Sequence, residues 1–258
     1  MTKIDTDNRI HRVLWTGGFD STYRMIELAL QDVIVEPVYV VNPIRRSRNI
    51  ELSAMKTMLE MLRDSRRFRA EIRDIKVINR EDIRISDEIH EAYDRLHESY
   101  GIGPQYEWLA PLSKDIDNLE ICIEKAPEGR LHSRDAIIDG SKDSETIFGD
   151  FVLPIFDITE EEMVKNVKSW GCEDITSHIW FCNHPLESGM HGSGGLHAGY
   201  EPCGLCHPCR IKVESGMNKL LPTAALSRYH SMRLIEQEQG NEAARDYRMK
   251  IWSESGLE

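Results

Sequence analysis

Apolar residues recur along the first third of the chain with two different spacings, and the change from one to the other marks where strands give way to helices. Ile10, Val13, Leu14 and Trp15 form a short run suited to a buried strand, whereas Tyr23, Ile26 and Leu30 repeat at helical spacing on a segment that starts near Asp20 or Ser21 and runs to about residue 31. Val33 to Val41 reads as a second strand. In Ile50 to Asp64 the residues Leu52, Met55, Leu59 and Leu62 fall on one stripe, which predicts an amphipathic helix. Ile72 to Ile78 reads as a third strand. Alternating strands and helices imply an α/β fold with a mostly parallel sheet and right-handed crossovers, in which ligands bind beyond the C-terminal strand ends near the switch point. Residues 224–254 are charged and helical in pattern, with Leu226, Tyr229, Leu234 and Ile235 as docking positions for an extra helix or a homodimer contact.

Composition narrows the class. A chain of 258 residues with 40% hydrophobic content can bury one large α/β core, so the expectation is a single domain over 1–258. The net charge of −12 weighs against direct binding to nucleic acid. The chain begins Met-Thr-Lys with no apolar signal segment, which leads to the expectation of a reducing, cytoplasmic setting without a membrane partner.

The chemistry concentrates in two places. Between the first strand and the first helix stands Thr16-Gly17-Gly18-Phe19-Asp20-Ser21-Thr22. Glycines let the main chain approach a ligand without a Cβ in the way, and the helix start offers backbone N–H groups and a positive dipole end to anions. The hydroxyls of Thr16, Ser21 and Thr22 can add donors. The plain alternative is a turn whose Asp20 caps the helix. The second place is Cys203-Gly204-Leu205-Cys206-His207-Pro208-Cys209, with Cys182 upstream after Trp180-Phe181. Close cysteine pairs on a tight turn, joined by a fourth from another segment, suit a tetrahedral zinc ion. A disulfide pair, an iron–sulfur cluster and plain burial compete with that reading, and Cys172, His184, His191, His197 and His207 are alternative ligands. Cys122, among Leu119, Ile121 and Ile123, reads as core.

The first motif resembles the S/T-G-G-x-D-S signature of the PP-loop ATP pyrophosphatases and lacks the glycine spacing and lysine of a Walker loop. Together with the cysteines, and with Leu153-Pro154 leading to Thr159-Glu160-Glu161-Glu162, it resembles the 7-cyano-7-deazaguanine synthase family. Thr159 and Glu162 also form a capping box on their own terms. The resemblance implies a Rossmann-like parallel sheet of the adenine nucleotide alpha hydrolase kind flanked by helices. It also implies a four-cysteine zinc segment within 172–215, and ATP, Mg2+ and Zn2+ as cofactors. Thr16, Gly17, Gly18, Asp20, Ser21 and Thr22 would hold the phosphates, with Asp20 and Ser21 as catalytic residues. Cys182, Cys203, Cys206 and Cys209 would hold the metal. Arg48, in the basic run Arg45-Arg46-Ser47-Arg48, would reach phosphates or an anionic substrate.

The reaction implied is adenylation of a carboxylate such as 7-carboxy-7-deazaguanine, followed by transfer to ammonia to give an amide and then a nitrile. Relatives in antiphage systems suggest a variant in which a protein amine accepts the acyl group. A non-catalytic ATP-binding or zinc-ribbon module is the reading from another class. The family's Pro-x-Arg-Asn and Ser-Gly-Tyr-Pro-Asp-Cys-Arg segments do not occur; Tyr106 to Ser113 and Asp139 to Ser144 stand in roughly those places, with Trp108 able to stack on a heterocycle or to fill core. Lys212 stands where an arginine is expected, and the glycine-rich stretch 187–199 is longer than the family's gap, as a lid or a passive loop. The basic cluster at Ser65-Arg66-Arg67-Phe68-Arg69 complements a helix end.

Overall fold

The computed structural model describes residues 9–126, 132–188 and 199–254. By their contacts these group into two compact units, one of residues up to Asn42 with Met58–Thr176, the other of Pro43–Thr57 with the chain from Ser177 onward. No helix among the described residues is long and apolar enough to cross a membrane.

The first unit is built on a parallel sheet. Strand β1 (Ile10–Leu14) lies between β2 (Ile34–Val41) and the two-residue β5 (Leu119–Glu120). The far edge of β2 carries β3 (Glu71–Ile72) and β4 (Lys76–Asn79) in succession. The single strand expected over Ile72 to Ile78 is therefore two, and Pro37 supplies the reason. Val38 sends its carbonyl to Trp15 on the β1 side, and Val35 sends its carbonyl to Arg73 on the other, so Pro37 faces the β3 and β4 edge. It has no N–H to give there, and the ladder breaks and restarts one residue out of step.

Helices flank the sheet. Along β1, Leu14 joins Val38 and Val40 in one cluster with α3 (Asp87–Tyr100), α4 (Gln105–Asp115) and α6 (Lys142–Phe148). Trp15 points the other way, and its indole donates to Thr22 of α1 (Phe19–Ala29) at 3.0 Å. Helix α1 meets α7 (Glu160–Ser169) through Tyr23, which stacks on Trp170 at 5.4 Å and bonds to Asn166 at 3.0 Å. The capping box forms as its sequence implies: Glu162 N–H donates to Thr159 Oγ1, and the Glu162 carboxylate accepts from the Thr159 N–H.

One buried ion pair had no sequence signature. Glu120 of β5 is 3% exposed and accepts from Arg24 of α1 at 2.7 Å and 3.1 Å, while His11 of β1 approaches it at 2.6 Å. Burial disfavours the Arg24 charge, but its bonds to Glu120 and Glu27 outweigh that cost and hold its pKa above the usual arginine value. Removing one partner strands the other. Arg24→Ala is expected to lower the unfolding free energy by about 3 kcal/mol, measured by chemical denaturation.

Helix α2 (Arg48–Asp64) crosses the boundary between the units at Thr57. Met55, Leu59 and Leu62 are buried as the stripe predicts, Leu52 only half so, and Glu51 is buried unexpectedly at 1% exposure. In the second unit Glu51 is held by Arg45 and Ser47, both at 2.7 Å. That unit also contains the ladder of β6 (Leu186–Glu187) with β7 (Tyr200–Glu201), then α9 (His207–Glu214), α10 (Thr223–Gln239) and α11 (Asn241–Glu254). Of the expected docking positions on α10, Tyr229 is buried, Leu226 and Ile235 are half-buried, and Leu234 is exposed.

Candidate functional sites

The glycine loop sits where a parallel sheet exposes its C-terminal strand ends. With β2 on one side of β1 and β5 on the other, the chain changes direction beside β1, and the segment 15–18 leaves the sheet at that point. Gly17 adopts φ 72°, a left-handed conformation that glycine takes without strain. Helix α1 begins at Phe19, one residue earlier than the periodicity indicated. Gly18 is its N-cap and offers no side chain for capping, so Asp20 belongs to the first turn and does not cap the helix. The positive helix end is thus presented to the loop.

The three hydroxyls differ in their surroundings. Thr16 is exposed, and its N–H donates to Ser21 Oγ at 3.4 Å, which ties the two sides of the loop together. Thr22 is fully buried; its hydroxyl accepts from Trp15 and donates to Met58 Sδ at 3.9 Å, so it holds the loop from behind.

Tertiary packing brings residues to Asp20 that periodicity did not mark. The Tyr106 hydroxyl is raised in pKa chiefly by burial and further by the Asp20 charge, against the bonds it makes to Ser133 and Gln105. The Cys122 thiol is pushed well up by loss of water and again by Asp20. Cys122 lies just beyond the end of β5 and is half-buried. Asp20, Tyr106 and Cys122 therefore share one electrostatic neighbourhood beside the loop. The only signal for this in the sequence is position, since Cys122 and Thr16 each follow a strand that pairs in parallel with the other.

The second cluster is made by two segments of the second unit. The sulfurs of Cys182, Cys203, Cys206 and Cys209 all lie within 4.8 Å of one another and all four residues are buried. Cys206 stands 3.4 Å from Cys209 and 3.8 Å from Cys182, and Cys203 stands 3.9 Å from Cys209. Four sulfurs about 2.3 Å from one tetrahedral ion would be about 3.8 Å apart, so these four residues could hold a single metal ion. All six cysteines are free thiols in this structure. A multi-iron cluster would spread its sulfurs over several iron atoms, wider than this set.

Local structure prepares the thiols. Gly204 at φ 76° turns the chain so that the Leu205 and Cys206 N–H groups point at Cys203 Sγ at 3.3 Å and 3.2 Å. Bonds from the other three thiols, and then from the Leu205 N–H, pull the Cys203 thiol down. The Cys203 N–H in turn donates to Cys182 Sγ at 3.2 Å, and Cys206 occupies the N-cap position of α9 without a side-chain capping bond, which leaves the positive helix end beside the sulfurs. A Cβ on Gly204 would stand 2.0 Å from the Ala225 carbonyl oxygen. Gly204→Ala combines that clash with a left-handed backbone and should cost about 2–4 kcal/mol of stability, read as a lowered denaturation midpoint.

Other candidates are placed elsewhere. Cys172 is not among the four; its thiol approaches the Trp170 carbonyl at 3.5 Å. Arg48 donates to the carbonyls of Pro43 and Arg45. Arg67 reaches Gly171 and Asp174, and Arg69 reaches the Leu30 carbonyl. Trp108 packs half-buried against the core. Ser141 caps α6 and Asp143 pairs with Arg95 at 2.8 Å. Lys212 is buried. His191, His197 and most of the glycine-rich stretch lie outside the described residues. A groove of about 760 Å³ lined by Arg12, Ser113, Lys114, Asp117, Asn118 and Asp150 opens at the start of β5 and gathers none of the loop or cysteine residues.

With both clusters in view, neither a scan against models of known protein families nor a search of curated proteins finds a match to this chain.

Proposed function

We propose that the chain is an ATP-dependent enzyme that adenylates a carboxylate and passes the acyl group to an amine, and that it has a structural zinc ion on Cys182, Cys203, Cys206 and Cys209. The observation that carries the first part is the Thr16–Thr22 loop. It lies at the C-terminal end of β1, beside the switch point, with Gly17 left-handed and the α1 N-terminus uncapped by any side chain. Its motif resembles that of the PP-loop ATP pyrophosphatases, and a fold of the adenine nucleotide alpha hydrolase kind is part of the same proposal.

In this reading the loop's N–H groups and the Thr16 and Ser21 side chains bind the β- and γ-phosphates. Asp20 holds magnesium, which would neutralise charge on the departing pyrophosphate. The substrate carboxylate oxygen bonds to the α-phosphorus as the bridging P–O bond to pyrophosphate breaks, and an amine then displaces AMP. Donors aimed at the leaving pyrophosphate before reaction begins lower the barrier most. The zinc reading is supported by sulfur separations that match a single tetrahedral ion.

The carboxylate is proposed to be 7-carboxy-7-deazaguanine or a relative. A protein amine as acceptor is the second reading. It is motivated by the absence of the family's substrate segments and by the longer glycine-rich stretch 187–199. The experiment is mass spectrometry of the protein with Mg2+, ATP, ammonium and 7-carboxy-7-deazaguanine. Amide or nitrile with AMP supports the synthase reading. AMP with only an adenylate points to a missing protein amine, and ATP bound but uncleaved supports a binding module.

A further inference from the structure

The second unit gives the cysteine cluster an outer support that ligation itself does not require. All four sulfurs come from two segments, yet both segments are gripped by the C-terminal helices. From α10, Arg228 donates Nε to the Cys203 carbonyl at 2.8 Å and a second nitrogen to the Pro202 carbonyl at 3.2 Å and to Glu201 at 2.6 Å. One turn earlier, the Ala225 carbonyl lies so close to Gly204 that only a residue without a Cβ fits. From α11, Trp252 stacks on His184, with ring centroids 3.9 Å apart and planes 10° from parallel. His184 is two residues from Cys182, and its Nδ1 is buried without a hydrogen-bond partner. Helices α10 and α11 pack on each other as a pair.

We propose that the α10–α11 pair is a clamp whose docking is linked to metal occupancy. Arg228 and Trp252 are positioning residues: one holds the turn that carries Cys203 and Cys206, the other holds the segment that carries Cys182. The proposal rests on the metal-centre reading above. A ligand that binds only the docked arrangement stabilises it, and by linkage the docked helices raise affinity for the ligand by the same factor. Partners that orient metal ligands from outside the coordination shell are commonly worth about 10–100-fold in affinity.

The test uses the full chain. Metal content of the purified protein is measured first, and protein that holds no metal overturns the metal-centre reading directly, before any variant is compared. With metal present, hydrogen exchange is followed across residues 223–254 before and after removal by a chelator. Exchange there should rise at least about tenfold on metal loss. Release of Zn2+ to a chromogenic chelator should be at least about tenfold faster in Trp252→Ala and Arg228→Gln, and Trp252→Phe should restore it by keeping a stacking ring. Unchanged protection of both helices after metal loss would overturn the clamp. So would wild-type release rates in the folded variants.

Discussion

Replacing Asp20 by alanine is expected to leave a folded, metal-containing protein that forms AMP from ATP at least about 10³-fold more slowly. Asp20 lies in the first turn of α1, where Gly18 makes no side-chain cap, and its charge reaches Tyr106 and Cys122 on neighbouring segments. In the proposed reaction this carboxylate holds the magnesium. Without it the magnesium that neutralises pyrophosphate has no protein ligand in the proposed loop, and that loss falls mainly on the transition state. The measurement is AMP release at saturating ATP, with metal content and circular dichroism as controls. Full turnover in Asp20→Ala would remove the loop from the reaction. Ser21→Ala should also abolish turnover, because Ser21 is the hydroxyl that ties the Thr16 backbone across the loop.

The largest effect on stability is expected from the cysteines. Cys206→Ser replaces a sulfur that stands 3.4 Å and 3.8 Å from two of its partners, and should reduce metal content by roughly one ion per chain. Structural zinc binding amounts to about 10–16 kcal/mol in small isolated domains, so the second unit should unfold at markedly lower denaturant. Cys182→Ser should behave in the same way. Cys172→Ser should keep its metal, since that thiol lies against the Trp170 carbonyl and outside the cluster. Elemental analysis of the three variants decides the ligand set, and equal metal in Cys182→Ser and wild type would exclude Cys182.

Local features were the most legible. The capping box at Thr159 and Glu162 depends only on residues three apart, and it forms. The first strand, the first helix and the second strand follow from periodicity, with ends shifted by one or two residues. The four-cysteine set was legible because three of its thiols come in Cys-x-x-Cys spacing and tetrahedral metal sites are commonly completed by a cysteine from another segment. Less legible were features set by strand neighbours. Pro37 sits in a run that reads as plain strand, and only the direction of its missing N–H explains why one expected strand became two. Arg24 and Glu120 are 96 positions apart and meet because β5 pairs with β1.

The sequence by itself determined the order of strands and helices at the start of the chain, the glycine loop and the cysteine set, because spacing and side-chain chemistry act over a few residues. Tertiary structure alone decided which side chains gather beside Asp20. It also turned Thr22 inward, where its hydroxyl accepts from the Trp15 indole and donates to Met58. Those outcomes depend on strand register and on burial of groups far apart in the chain. A change of one residue in register turns every side chain of a strand to the other face, and no local pattern carries that choice.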